Sequence, residues 1–469
     1  MILKTYSITK EAAQVHVKSV GETNQQPIVD SSYLSTHHKT LRPRVLIVGA
    51  GLGGVAMANA IASSCDVCLV DKRADTGVEG SAIGLPANSV HALKLLGYEF
   101  EIKNIAHQIS HMAWAKSNGD LLSLQELTRI HPLGAQFMAV ARRDLHRMLL
   151  ERAIVQINFR TTINELLLPA ASDAPVTVRF SSSVNYGGIE SALHDFDLVI
   201  GADGMYSTVR DLVHAAVKAT GDKAKSAGQP TVAPKPVFRN VRAWRTLVHG
   251  KPNWPEHSIY FFSLTSMLML CPINSDTSGD RYYIYAHEVI PKPDRLTDNE
   301  SEARFMKIFS EYGGVIPEVI TEVKTDELST LFIESISDIY WGSPTDRVVL
   351  LGDAAHGIPP FLQNGAAQAF EDVYTLALLL DKAVSRASSA QLTETCILDE
   401  IKKACINYVD ARHGRVDFVV RESNPPYPVN ESELDAMFKD AKEKGSWSVS
   451  QFYKLMNNPK FSFPSDVFS

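Results

Sequence analysis

The residues best suited to chemistry in this 469-residue chain are glycines set beside acids: Gly49-x-Gly51-x-x-Gly54, then Asp71, then Asp203-Gly204 and Gly352-Asp353. A glycine turn of the first kind lets backbone approach a pyrophosphate closely, with Gly49 and Gly51 suited to the tight turn and Gly54 to close packing of helix on strand. Amides at the start of such a helix point at the phosphates, and the helix dipole favours their charge. Asp71 stands twenty-two residues after Gly49, where the ribose hydroxyls of a dinucleotide need an acceptor. The chemistry expected is therefore binding of a dinucleotide.

The flanking residues supply the elements that position this turn. Val45 to Val48 is apolar at every position, as in a strand buried on both faces of a parallel sheet. Val55 to Ala62 is rich in helix formers, and Asp66 to Asp71 is a second apolar strand ending in the acid. The order strand, glycine turn, helix, strand and acid is what separates a dinucleotide site from an ordinary glycine turn. Met138 to Arg142 reads as a strand delivering Arg142 to a strand-to-helix corner, where it serves either the site or the surface, capped by Asp144. In the helix that follows, Leu145, Met148 and Leu149 face inward. Phe196 to Ile200 is another buried-type strand and ends in Gly201-Ala202-Asp203-Gly204, a second site edge. Arg347 to Leu351 ends likewise in Gly352-Asp353. A Pro359-Pro360 loop then leads to Asn364-Gly365-Ala366-Ala367, the mouth of a long apolar helix reaching Leu380 and a second anion-favouring terminus.

Between these segments the pattern changes. Val241–Val248, Ser258–Phe262, Ser266–Cys271 and Arg281–His287 read as strands with no helix between them, hence a largely antiparallel sheet. Trp244, Tyr260, Phe262, Met267, Met269, Tyr283 and Tyr285 on it suit a flat apolar ligand or, taken singly, a core packed by its own aromatics. Glu302 to Tyr312 reads as a helix, and Lys218 to Pro236 as a linker or mobile loop.

Composition sets the outer bounds. A net charge of -7 offers no footprint for nucleic acid or an anionic membrane. Five cysteines at irregular spacing argue for a reducing, cytoplasmic compartment, and Cys65-x-x-Cys68 falls on opposite faces of its strand, so no metal is expected. No apolar run of about twenty residues is present to span a bilayer. Met1 to Arg42 has little periodicity and none of the features of a targeting signal.

Taken together, the three fingerprints resemble those of the class A flavoprotein aromatic hydroxylases, the family of para-hydroxybenzoate, 3-hydroxybenzoate and salicylate hydroxylases, in order and spacing from Arg44 to about Arg415. Supporting matches are Ile83-Gly84-Leu85 with Asn88, Arg142 before Asp144-Leu145, the run Ala202 to Arg210, and Gly365-Ala366 with Glu371-Asp372. Asp71 stands where the family usually has Glu, and Pro86 lies one position early. The resemblance implies an α/β fold with a Rossmann-like FAD-binding domain, an inserted, largely antiparallel substrate sheet and a C-terminal helical region. In this chain those would be a 1–42 arm, an FAD-binding domain at 43–225 and 340–390, a middle domain at 236–335 and a helical region at 391–469.

The resemblance also implies roles. One non-covalent FAD would lie on Gly49, Gly51 and Gly54, with Asp71 on the adenosine ribose and Arg142 in contact with the cofactor. Asp203-Gly204 would buttress the site and Asp353, after Gly352, would accept from a ribitol hydroxyl. Amides of Asn364, Gly365 and Ala366 would face the pyrimidine edge of the flavin, Pro359 would line the substrate side, and Asp372 would matter less than Asp353. NAD(P)H would reduce FAD, and O2 would add at flavin C4a to give a hydroperoxide that hydroxylates a small aromatic, phenolic or carboxylate substrate. The protein would act as a monomer or homodimer. His249, His257 and His287 are candidates for a base and Arg245 for a carboxylate clamp. The competing readings are an FAD-dependent reductase or dehydrogenase of the same fold and a non-catalytic flavin-binding protein.

Overall fold

The computed structural model describes residues 42–77, 81–127, 136–182, 192–221, 230–276, 279–389, 394–423, 428–445, 450–451 and 454–455. Most of the expected arm and the centre of the expected linker lie outside them, as does most of the Pro425 to Pro428 stretch, which the sequence reads as a proline break. The order begins β1 (Arg44–Val48), α1 (Leu52–Ile61), β2 (Asp66–Val70), β3 (Ala82–Leu85), α2 (Ala87–Leu95), α3 (Glu99–Ile105), β4 (His107–Ile109), β5 (His111–Lys116), β6 (Leu121–Glu126), β7 (Phe137–Ala141) and α4 (Arg142–Glu151). It continues with β8 (Ile157–Asn158), β9 (Thr161–Leu167), β10 (Val176–Ser182), β11 (Leu193–Phe196), β12 (Leu198–Gly201), α5 (Thr208–Ala219), β13 (Pro236–His249), β14 (Ser258–Phe262), β15 (Ser266–Asp276) and β16 (Gly279–Val289). Last come α6 (Asp298–Phe309), α7 (Ile316–Thr321), β17 (Ser329–Ile336), β18 (Gly342–Ser343), β19 (Val348–Leu350), α8 (Asp353–His356), α9 (Gly365–Ser389), α10 (Glu394–Glu422) and α11 (Glu431–Lys444).

The glycine turn and both later acid motifs leave the same end of one sheet, ordered β18-β19-β12-β1-β2-β8. Its β19-β12-β1-β2-β8 pairings are parallel, and only the short β18 edge runs antiparallel. Strands β1, β12 and β19 are buried at nearly every position, which explains their unbroken apolar sequences. Parallel strands bring their carboxyl ends to one edge, so Gly49, Asp203 and Gly352 arrive together although they lie far apart in sequence. Helix α9 packs on α1 and carries α10 on its other side.

The second large sheet is ordered β17-β13-β16-β15-β14-β5-β6. It is antiparallel except where β14 pairs with β5 in parallel, and it takes β5 and β6 from within residues 43–225. Alternation gives it two unlike faces. Trp244, Phe261, Leu268, Leu270 and Ile284 pack against Phe305, Phe309 and Ile316 of α6 and α7. The opposite face carries Met267, Met269, Tyr283 and Tyr285, with Tyr260 and Phe262 beside them. Helix α6 begins earlier than apolar spacing indicates, because Thr297 and Glu300 form a capping box at its start.

Candidate functional site

A cavity of about 1010 Å³ lies between the carboxyl edge of the parallel sheet and the Met- and Tyr-bearing face of the large sheet. The glycine turn forms one wall. Gly49 has φ +105°, and a side chain there would collide with the backbone of Ala202 and Asp203. A side chain at Gly54 would overlap the Gly49 carbonyl oxygen. Gly51 differs: a β-carbon there meets nothing within 4 Å, because the residue faces the cavity. No side chain caps the N-terminus of α1, so its first amides are left for a ligand.

The structure brings Gly51, Arg142, Gly204, Gly352, Asp353, Gly365 and Ala366 onto this one cavity. Asp353 is solvent-accessible where it opens onto the cavity, with protein closing around its carboxylate on the other sides. Burial raises its pKa, and His356 and Arg142 oppose that rise. Arg142 begins α4 and lines the cavity, while Asp144 pairs instead with Arg147 and with Arg281 at 3.8 Å.

Other expected contacts are shifted. Asp71 is buried, and its oxygens accept from Ala50 N at 2.7 Å, Arg73 N at 2.8 Å and the Arg73 guanidinium at 3.0 Å. Burial alone would raise its pKa, but these donors, Arg73 first, hold it below the usual carboxylate value. A carboxylate has about four acceptor sites, so in this geometry Asp71 shapes the glycine turn rather than presenting a free oxygen to a ribose. Asp203 accepts from Ser207 Oγ at 2.5 Å, Thr208 N at 2.7 Å and Val209 N at 3.1 Å, holding the start of α5. Asn364 is fully buried and turned away, accepting from Asn88 Nδ2 at 3.0 Å. Pro360, not Pro359, reaches the cavity, because Pro359 is buried at the start of the turn.

Of the three histidine candidates, the cavity takes His287. Complete burial pushes its pKa down to about 3, so it is a neutral imidazole at physiological pH and too weak a base to ionise a phenol. His249 is exposed at the end of β13, and half-buried His257 lies off the cavity. Arg245 does line the cavity, and its buried Nε has no hydrogen-bond partner. Period two divides the aromatic group: Trp244 faces α6 and donates to Ser301 Oγ at 2.9 Å, whereas Tyr260, Phe262, Met267, Met269, Tyr283 and Tyr285 line the cavity.

Beneath the acid motifs lies a charge network that the sequence named in pieces without joining. Asp372 accepts from Gly352 N at 2.9 Å, His356 Nε2 at 2.7 Å and Arg412 Nε at 2.8 Å. Glu371 accepts from Arg412 at 2.5 Å, Arg415 at 2.6 Å and Asn88 at 2.8 Å. Burial would raise the Glu371 pKa, but Arg415 and Arg412 outweigh it and hold the group at about 2. Asp372 therefore ties the Gly352 turn to α10 from behind, off the cavity that Asp353 faces. The available signal was charge on otherwise apolar helix faces, Glu371-Asp372 on α9 and Arg412-x-x-Arg415 on α10. A second contact had no such signal: Gln363, at φ +51°, lays its Oε1 over Gly84 and donates Nε2–H to the Tyr260 hydroxyl.

Residues 42–395 match the family model described as FAD binding domain. A 3-amino-4-hydroxybenzoate 2-monooxygenase of Streptomyces platensis is 28% identical over 74% of this chain and 82% of its own length. A kynurenine 3-monooxygenase of Salinispora arenicola is 27% identical over 79% of this chain and 80% of its own. Among solved structures, Klebsiella pneumoniae HpxO complexed with FAD and uric acid superposes with a TM-score of 0.71 at 19% identity, covering 88% of this chain and 96% of that one. Among the described residues no helix is long and apolar enough to cross a membrane, and no group of His, Cys, Asp and Glu is placed to hold a metal ion.

Proposed function

The chain belongs to the FAD-binding-domain family and is an FAD-dependent monooxygenase, and from that premise we propose that it uses NAD(P)H and O2 to hydroxylate an electron-rich aromatic compound bearing an acidic group. The observation that carries this reading is the pairing of two unlike walls across one cavity: open glycines, uncapped amides and a carboxylate on one side, aromatic rings, methionines and a single floor guanidinium on the other. The residues fit FAD. Gly51 and the start of α1 would receive the pyrophosphate, Asp353 would accept from a ribitol hydroxyl, Arg142 would contact the cofactor, and the amides at Gly365 and Ala366 would stabilise negative charge on the reduced ring. FAD bound there supplies electron uptake from NAD(P)H and activation of O2 for insertion into the ring.

The chain's own residues supply orientation and a dry setting. Tyr285, Met269 and Tyr260 give the ring flat, polarizable neighbours. Arg245 would hold a carboxylate or phenolate, and its charge, rather than a histidine base, would favour ionisation of the substrate. Stopped-flow reduction by NAD(P)H, with and without aromatic ligand and under labelled O2, tests the reading. The expected result is a rise of at least about tenfold with substrate, equivalent to about 1.4 kcal/mol of barrier, and label in the product. Fast, ligand-independent reduction with no label in any product would transfer the assignment to a reductase.

A further inference from the structure

The row of the floor that contains Arg245 ends in a second unsatisfied donor. In the register of the large sheet, Arg245 stands beside Tyr285, Tyr285 beside Met269, Met269 beside Tyr260 and Tyr260 beside Trp114. All five line the cavity. Trp114 is 6% exposed, lies 4.6 Å from the Phe262 ring, and leaves its Nε1–H without a hydrogen-bond partner. A buried N–H without an acceptor is costly and uncommon in folded proteins. Trp244 shows the ordinary outcome, donating to Ser301 on the packed face of the same sheet. Arg245 leaves its buried Nε equally unanswered at the other end of the row.

Four strand spacings separate the ends, about 19 Å between backbones at about 4.8 Å each. No single benzene ring bridges that span, even when both side chains reach inward. The cavity continues past Trp114 to Met437 and Ala441 of α11, so the far end is not closed at Trp114. We propose that the substrate is an elongated aromatic anion, two rings or their equivalent in length, whose acid group pairs with Arg245 and whose far end offers an oxygen acceptor to Trp114 Nε1–H. Tyr285, Met269 and Tyr260 carry the rings between. This deepens the hydroxylase reading and rests on it only for the identity of the site.

The test is equilibrium binding to the full-length, FAD-loaded protein without NAD(P)H, followed by flavin fluorescence and calorimetry. The probes are 4-hydroxybenzoate, biphenyl-4-carboxylate and 4′-hydroxybiphenyl-4-carboxylate. Both biphenyls are expected to bind at least about 30-fold more tightly than 4-hydroxybenzoate, from burial of the second ring. The distal hydroxyl should add about fivefold, which Trp114→Phe removes while leaving biphenyl-4-carboxylate unchanged. On the unaltered protein, a 4′-methoxy biphenyl acid should bind about fivefold more tightly than its 4′-ethyl counterpart, a comparison that needs no variant to fold. Equal affinity for one ring and two, equal affinity for methoxy and ethyl, or a Trp114→Phe loss shared by both biphenyls would overturn the proposal. Because turnover is not measured, binding of this kind without oxygen incorporation would remove the hydroxylase reading and leave this one standing.

Discussion

The two walls of the cavity treat buried polar groups in opposite ways. On the cofactor wall, the acids behind the turns are answered: Asp71 by Ala50 and Arg73, Asp372 by Gly352, His356 and Arg412, and Glu371 by two arginines and an asparagine. On the substrate floor, Arg245 Nε and Trp114 Nε1 are left open. A wall that must hold one fixed cofactor can pair the acids of its framework with donors of its own, even though single ring and guanidinium nitrogens of His356 and Arg210 stay unpaired. A floor that must receive a transient ligand keeps donors in reserve, at a cost in stability that the ligand removes on binding. Mutations should therefore act on folding at the first wall and on binding at the second.

The largest effect should come from breaking the cofactor wall from behind. Arg412→Met removes the guanidinium shared by Glu371 and Asp372, each fully buried, leaving Glu371 with Arg415 and Asp372 with His356, and should cost about 3–5 kcal/mol of stability, the usual size for breaking a buried ion pair by removing one partner. Asp372→Ala should be similarly severe. Arg245→Met on the floor should stay within about 0.5 kcal/mol while weakening binding of aromatic acids. Urea unfolding with flavin titration decides the matter, and equal losses at Arg412 and Arg245 would erase the contrast.

Asp353 tests the contrast within the cofactor wall, since it opens onto the cavity while Asp372 does not. Asp353→Ala should weaken FAD binding by about 1.5–3 kcal/mol, the range for a hydrogen bond to a charged group. The cofactor-free protein should not be destabilised, because burial already disfavours this carboxylate in its ionised form. Unchanged FAD affinity would remove the ribitol role.

The same contrast governed what could be read from sequence. Strands β1, β12 and β19 are buried on both faces, so their apolar runs and terminal glycines mark both the element and the site edge. The floor is legible only as strands, because composition does not say which face Trp244 and Tyr260 take; register and the packing of α6 do. Strands β5 and β6 pair with each other locally but join the large sheet only through β14, more than a hundred residues away, so they escaped, and Trp114 escaped with them. The Glu371–Arg412 pairing is likewise a tertiary fact, joining two helices across 41 positions. His287 shows the limit of residue type, since its imidazole titrates according to burial that only the fold reveals.

His287 also gives a pH dependence that belongs to the floor. Its folded pKa of about 3 lies below the ordinary 6.5, so the unfolded chain binds the proton more readily and stability falls with pH from about 6.5 down to about 3. Between pH 6.5 and 5 the loss is up to about 2 kcal/mol. His287→Phe should flatten that limb of a stability profile, and an unchanged slope would show that other groups carry it.

The smallest effect lies where the two walls are strapped together. Gln363 ends the turn before α9 in a left-handed conformation and reaches across Gly84 to the Tyr260 hydroxyl. A side chain in that conformation costs about 1 kcal/mol, and the hydrogen bond returns about the same. Gln363→Ala keeps the strain and loses the bond, so it should be about 1 kcal/mol less stable than the wild type. Gln363→Gly loses both and should stay within about 0.5 kcal/mol of it. Both variants free Tyr260, so both should weaken an aromatic ligand equally despite their different stabilities. Equal melting temperatures for the pair would refute the strain. A glycine variant that binds as the wild type does would show that the strap holds the walls together without positioning Tyr260.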